Sequence, residues 1–175
     1  MIEKMPWIER RFTFDLPVSM FPNLIERVRG TPARVEDRVR GLPREALVAR
    51  EGEKWSIQEH VGHLFDLEPL WSARLDDFDD AAEVLRAADM SNRKTHEANH
   101  NDRPFAEILA GLREVRGGIV ARLEAMDARA AARTARHPRL DQPMRVLDLV
   151  AFVAEHDDHH LARISEIIAR RGEGR

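Results

Sequence analysis

Apolar residues recur every three or four positions through four long stretches of this chain, and no stretch shows the strict alternation of a half-buried strand. A repeat near 3.6 residues puts each set on one face of a helix, and such faces are stable only when buried against one another. The expected fold is therefore all-α, a four-helix bundle. In the first stretch the seam is Ile25, Val28, Pro32, Val35, Val39 and Leu42. Proline lacks a backbone donor and clashes with the preceding turn, so this helix should kink or restart at Gly30-Thr31-Pro32 and stop at Gly41 and Pro43. The second stretch opens on a capping box, Ser56 to Glu59, and carries Ile57, Val61, Leu64, Leu67, Trp71 and Leu75. The third begins at Pro104 with Phe105, Ile108, Leu112, Ile119, Leu123 and Met126; the fourth opens at Pro143 and runs to about Arg171.

The polar segment 76–103 is long enough to serve as a crossover connection between helices 2 and 3, with a short helix expected around Ala81 to Ala88. Residues 1–20, punctuated by Pro6 and Pro17, read as an extended lead-in that packs Trp7, Phe12 and Phe14 onto the body, and His137-Pro138-Arg139-Leu140 reads as a turn. At 175 residues the chain has the length of a single domain, 1–175, able to bury a core without staples.

With no cysteine in the sequence, disulfides, thiolate nucleophiles and cysteine zinc sites are excluded. The opening residues carry charge at Glu3, Lys4, Glu9, Arg10 and Arg11 and lack an apolar run for a signal peptide or membrane span, so a cytoplasmic location is expected, with no membrane partner. Lys plus Arg number 28 against 31 Asp plus Glu, interspersed, which leaves no basic footprint for nucleic acid.

Three of the eight histidines fall in the last helix. His156 and His160 are one turn apart on the face that carries Leu149, Val153, Ile164 and Ile167, so both point inward, as two imidazoles must to share one ion. His63 lies in or beside the apolar arc of the second helix and is the candidate third ligand; His60, nearer the cap, is a pocket residue or a partner of a ligand. A second histidine pair is deceptive. His96-Glu97-Ala98-Asn99-His100 matches the His-Glu-x-x-His pattern of zinc proteases, but no apolar stripe supports it and Asn101 to Pro104 break the chain directly after. A loop over the site, bringing His96, Asn99 or His100 toward a ligand, fits that segment better. Glu68, Arg116 and Asp157 place three charges on core-facing stripes, and charges in a core must meet one another or a ligand.

The motifs Trp55-Ser56-x-x-Glu59-x-x-x-His63-Leu64 and His156-Asp157-x-x-His160-Leu161-x-x-Ile164 resemble those of the DinB-like superfamily of bacterial metal-binding four-helix bundles, and the similarity spans nearly the whole chain. The resemblance implies a divalent metal, zinc, nickel or iron, held by His63, His156 and His160. It also implies a metal-dependent enzyme acting on a small molecule, either a transferase that uses a low-molecular-weight thiol cosubstrate or a hydrolase. The contrary reading is a stress-associated binding protein whose metal is structural or sensory. Relatives commonly pair, so a homodimer is expected, with Trp7, Phe78 and Phe152 as anchors.

Three neutral imidazoles leave a divalent ion its full charge and an open position, the arrangement of catalytic sites, and such an ion acidifies a bound water or thiol. The open position attracts an anionic substrate. Arg163, three residues after His160, is placed to meet that anion or, alternatively, to pair with Glu155 or Glu166. Glu59 and Asp157, with Asp158, are candidates to orient imidazoles or move protons, and equally to serve as capping or surface groups.

Overall fold

The computed structural model describes residues 5–172; Met1 to Lys4 of the expected lead-in lie outside the described residues. Its helices are α1 (Phe21–Arg29), α2 (Thr31–Val39), α3 (Arg44–Val48), α4 (Ile57–Asp79), α5 (Arg93–Glu97), α6 (Phe105–Glu124), α7 (Ala128–Ala131) and α8 (Val146–Gly172). The bundle consists of the α1–α2 pair, α4, α6 and α8, in which α1 packs on α6 and α8, and α4 also packs on α6 and α8. As expected, the first helix restarts at its proline: Pro32 opens α2, and Gly41 takes a positive φ of 76° just beyond its end.

Side-chain pairings give the direction of each helix. Glu68 meets Arg116, and further on Asp79 meets Arg122, so α4 and α6 run parallel. His60 meets His160 while Trp71 meets Phe152, so α4 and α8 run antiparallel. Two consecutive bundle helices in the same direction require the connection between them to return along the bundle, and segment 80–104 is that crossover. Its return is anchored on the first turn of α4. Ser56 Oγ accepts from the Glu59 N–H as N-cap and donates to Asn101 Oδ1 at 2.7 Å, while buried Gln58 donates to the carbonyls of His100 and Arg103.

The reciprocal half of the capping box is also present, with the Ser56 N–H donating to Glu59 and the Arg50 guanidinium paired with the same carboxylate. Burial pushes the Glu59 carboxyl up, but the bonds from Arg50 and Ser56 outweigh it and hold it near 2, below its usual 4.5. A depressed folded value means stabilisation that is complete above the unfolded pKa and lost as pH falls through the folded one. Wild type should therefore exceed Glu59→Gln in stability above about pH 4.5, and the gap should close as the pH falls toward 2 in acid unfolding followed by circular dichroism.

Two apolar clusters fill the bundle, one around Trp71, Phe78, Leu123 and Leu147, the other around Val35, Ile57, Leu112 and Ile164. A polar waist separates them. Each bundle helix contributes to it where its stripe passes from one cluster to the other: Thr31, Glu68, Arg116 and Asp157, all buried. Arg116 donates to Glu68 (2.5 Å), to Asp157 (2.7 Å) and to the Val28 carbonyl (2.9 Å), and Thr31 donates to Asp157 (2.7 Å). The three core-facing charges of the sequence thus meet one another.

Three expectations need correction. Residues 81–88 form no helix: Ala81 adopts a positive φ of 53°, which ends the helical path, and the short helix of the crossover lies instead at α5. Pro143 does not open the last helix but sits in a small hairpin, β1 (Thr134–His137) paired antiparallel with β2 (Gln142–Arg145), each strand only four residues long. Phe78 and Phe152 are 3% and 4% exposed, so they belong to the core and cannot anchor a dimer; Trp7, with Phe12 and Phe14, packs on that same core as the lead-in was expected to do.

Candidate metal centre

α4 and α8 pass each other antiparallel, which brings an early residue of one against a middle residue of the other. Nitrogen atoms of His63, His156 and His160 converge within 4.8 Å of one another, and all three side chains are buried. The Nε2 atoms of His156 and His160 are 3.2 Å apart. Two imidazoles on one tetrahedral ion, at metal–nitrogen distances of roughly 2.0–2.1 Å, have their nitrogens about 3.3 Å apart, so the pair already has the spacing that an ion requires. Burial holds His63 near 4 and drives His156 and His160 well below the usual imidazole value, so the rings are neutral at physiological pH and offer lone pairs.

Hydrogen bonds set which nitrogen does so. Thr95 Oγ1 donates its one proton to Asp66 Oδ2 at 2.9 Å, so its contact with His63 Nδ1 at 3.0 Å has the imidazole as donor. That tautomer leaves the lone pair of His63 on Nε2. His160 Nδ1 lies 2.9 Å from His60 Nδ1, and with His160 as the donor of that pair its Nε2 lone pair faces the cluster. The His156 ring makes a T-shaped contact with Trp7, centres 5.0 Å apart, and its Nδ1 is buried with no hydrogen-bond partner. The donor set therefore fits a divalent cation, with supporting groups on two of its three rings.

Asp66 and Thr95 were missed in the sequence, where an aspartate one turn after a histidine on α4 looks like a surface group. The crossover brings Thr95 over it, and His100 Nε2 donates to the same carboxylate at 2.8 Å. The His-Glu-x-x-His segment thus supplies a support for the site through His100, while the His96 ring stands 5.7 Å from the Trp55 ring. Gly62 makes room for this: a Cβ there would lie 2.3 Å from the His100 ring. Gly62→Ala should displace His100, lower stability by about 1–3 kcal/mol in urea unfolding and loosen metal binding. Thr95→Val, which keeps the shape and removes the acceptor for His63, should weaken metal binding by roughly 10–100-fold in competition with a chromophoric chelator, with little change in melting temperature.

The remaining candidates lie elsewhere. Glu59 is held in the capping box and Asp157 by Arg116 and Thr31; neither lines the cavity beside the histidines. Asp158 pairs with Arg27 and Arg34. Arg163 lines that cavity and donates to Glu166 at 3.2 Å. The cavity is about 520 Å³, walled near the histidines by Trp7, Trp55 and Trp71.

Among solved structures, the chain is similar over 94% of its length to YfiT from Bacillus subtilis, described as a probable metal-dependent hydrolase with an unusual four-helix bundle topology, with 94% of that chain covered, 20% identity and a TM-score of 0.80. It also resembles a Streptococcus pneumoniae protein at 12% identity, covering 83% of this chain and 88% of that one, with a TM-score of 0.64. At these identities the likeness establishes the fold. No curated protein matches the chain. The family profile of the DinB superfamily matches residues 27–164, a span that holds the crossover, the polar waist and all three converging histidines, and the chain belongs to that superfamily.

Proposed function

We propose that this protein is a metal-dependent hydrolase of small molecules in which His63, His156 and His160 hold one divalent ion, zinc, nickel or iron. The observation that carries the reading is the convergence of three buried imidazoles on the wall of a 520 Å³ cavity, with no fourth protein donor in the cluster among the described residues. His60, a side chain that could have closed the sphere, has its Nδ1 hydrogen-bonded to His160 Nδ1 instead. A structural ion takes four protein ligands, whereas three leave a position for a reactant. An ion bound there supplies a water acidified toward neutral pH.

The chain's own residues do the rest. Thr95 and His60 hold His63 and His160 with their lone pairs inward, and the three tryptophans shape an apolar wall that limits water at the reacting bond. In this reading Glu59 and Asp157 are structural. The YfiT description supports the hydrolase assignment.

One observation favours a second reading, in which a small thiol is the nucleophile. A further cavity of about 360 Å³ shares Trp55, His60 and Arg163 with the first, so a second ligand can lie beside the one at the histidines, across His60. With no cysteine in the chain, the sulfur would come from that cosubstrate. The deciding experiment is metal analysis of untagged protein followed by ester, amide and phosphoester assays with and without added small thiols. Turnover without thiol supports the hydrolase, turnover only with thiol the transferase, and stoichiometric metal with no turnover the binding-protein reading. We further propose that the protein works as a cytoplasmic homodimer; a monomer in sedimentation equilibrium at micromolar concentration would refute the pairing.

A further inference from the structure

Away from the three converging histidines, the 520 Å³ cavity is lined by two guanidinium groups that no carboxylate pairs with directly among the described residues. Arg74, from the last quarter of α4, is 1% exposed, and Arg139 stands in the turn between β1 and β2; both line the cavity, and neither makes an ion pair among the described residues. Nearby acids are engaged elsewhere: Asp77 by Arg86, and Asp89, which also lines the cavity, by Ser91 and the Arg93 backbone. Arg139 Nη2 is buried and has no hydrogen-bond partner.

Arg74 is only partly satisfied. Its Nε donates to the Arg86 carbonyl at 3.0 Å, and its Nη1 lies 3.2 Å from His137 Nε2. His137 Nδ1, however, already accepts from the Leu140 N–H at 3.2 Å. A neutral imidazole accepts at one nitrogen only, so it cannot satisfy both donors. Burial lowers His137 to about 4 and also lowers Arg74 and Arg139, and at Arg74 the charge of Asp77 only partly offsets it. Buried charge of this kind is costly to keep unless something binds to it.

We propose that Arg74 and Arg139 form an oxyanion subsite that grips a carboxylate or phosphate at the end of the substrate opposite the reacting bond. A single indole spans the distance between the two ends: the Trp71 ring lies 5.9 Å from the His156 ring and 5.5 Å from the Arg74 guanidinium. Phe152 stands beside it, 5.2 Å from the His137 ring and 5.9 Å from the Arg139 guanidinium. The fitting ligand is therefore a small molecule with an aromatic or branched apolar middle about one ring long, anionic at one end. Guanidinium groups bind planar and tetrahedral oxyanions alike through paired N–H donors. As a statement about substrate, this rests on the reading of the cavity as an active site; as a statement about binding, it does not.

The test uses calorimetric titration of the full-length protein as isolated, with metal content measured on the same sample, and three probes of one shape: benzoate, phenyl phosphate and neutral benzamide. At least one anionic probe should bind tenfold or more tightly than benzamide. Arg139→Gln, a half-buried turn position, should erase that preference with metal content unchanged, and Arg139→Lys should restore part of it. Which anion binds better separates a carboxylate from a phosphate substrate. Equal binding of benzamide, failure of both anions to bind at millimolar concentration, or an anion preference unchanged in Arg139→Gln would each overturn the subsite. Protein that holds no divalent ion yet shows the Arg139-dependent preference would overturn the metal reading and leave the subsite standing.

Discussion

Replacing Arg116 with methionine should destabilise the protein by about 3–5 kcal/mol, the range found when one partner is removed from a buried ion pair. The guanidinium is 2% exposed and is the shared partner of Glu68 and Asp157, so its loss leaves two carboxylates in an apolar surrounding with Thr31 as the one other side-chain donor to them in the network. For a chain of this size the change corresponds to a fall in melting temperature of roughly 6–20 °C. Burial already pushes Glu68 up, helped by the nearby Asp157 charge, and the pull of Arg116 only partly offsets it.

Without Arg116 the Glu68 carboxyl should titrate higher still. Groups whose folded pKa is raised bind more protons folded than unfolded, so stability falls as pH rises. The penalty measured by urea unfolding should therefore be larger at pH 8 than at pH 5, and adding Glu68→Gln with Asp157→Asn should recover much of it. A penalty below about 1 kcal/mol, or one independent of pH, would mean that the waist is hydrated and the carboxylates are not stranded.

The second large effect concerns the histidines. His63→Ala, His156→Ala and His160→Ala should each remove stoichiometric metal, because two imidazoles cannot hold an ion against water as three do; the loss should exceed the roughly 10–100-fold expected for a supporting group such as Thr95. Metal that binds only the folded state raises its stability by mass action, so these variants should also lose the rise in melting temperature that added metal gives wild type. His96→Ala should keep its metal, and His100→Ala should weaken binding only moderately, since His100 acts through Asp66 and Thr95. Stoichiometric metal retained in two of the three triad variants would end the assignment. Metal lost only in the His96 and His100 variants would return the site to the protease-like pentapeptide.

What the sequence determined by itself is whatever depends on neighbours along one helix. Periodicity placed the four stripes, Ser56 and Glu59 the start of α4, Pro32 the restart of the first helix, and the one-turn spacing of His156 and His160 their common face. The charges on three stripes implied that Glu68, Arg116 and Asp157, if buried, meet one another or a ligand, because an unpaired buried charge is costly to keep. The tertiary structure decided what comes from chain segments far apart. Thr95 and His100 reach Asp66 only because the crossover folds back over α4, and no local pattern encodes that distance. The unneutralised pair Arg74 and Arg139 was equally hidden, since whether a guanidinium has a partner depends on which acids its neighbours have already engaged. Phe78 on α4 and Phe152 on α8 read as possible exposed anchors in the sequence, and only the packing of segments distant in the chain puts them in the core.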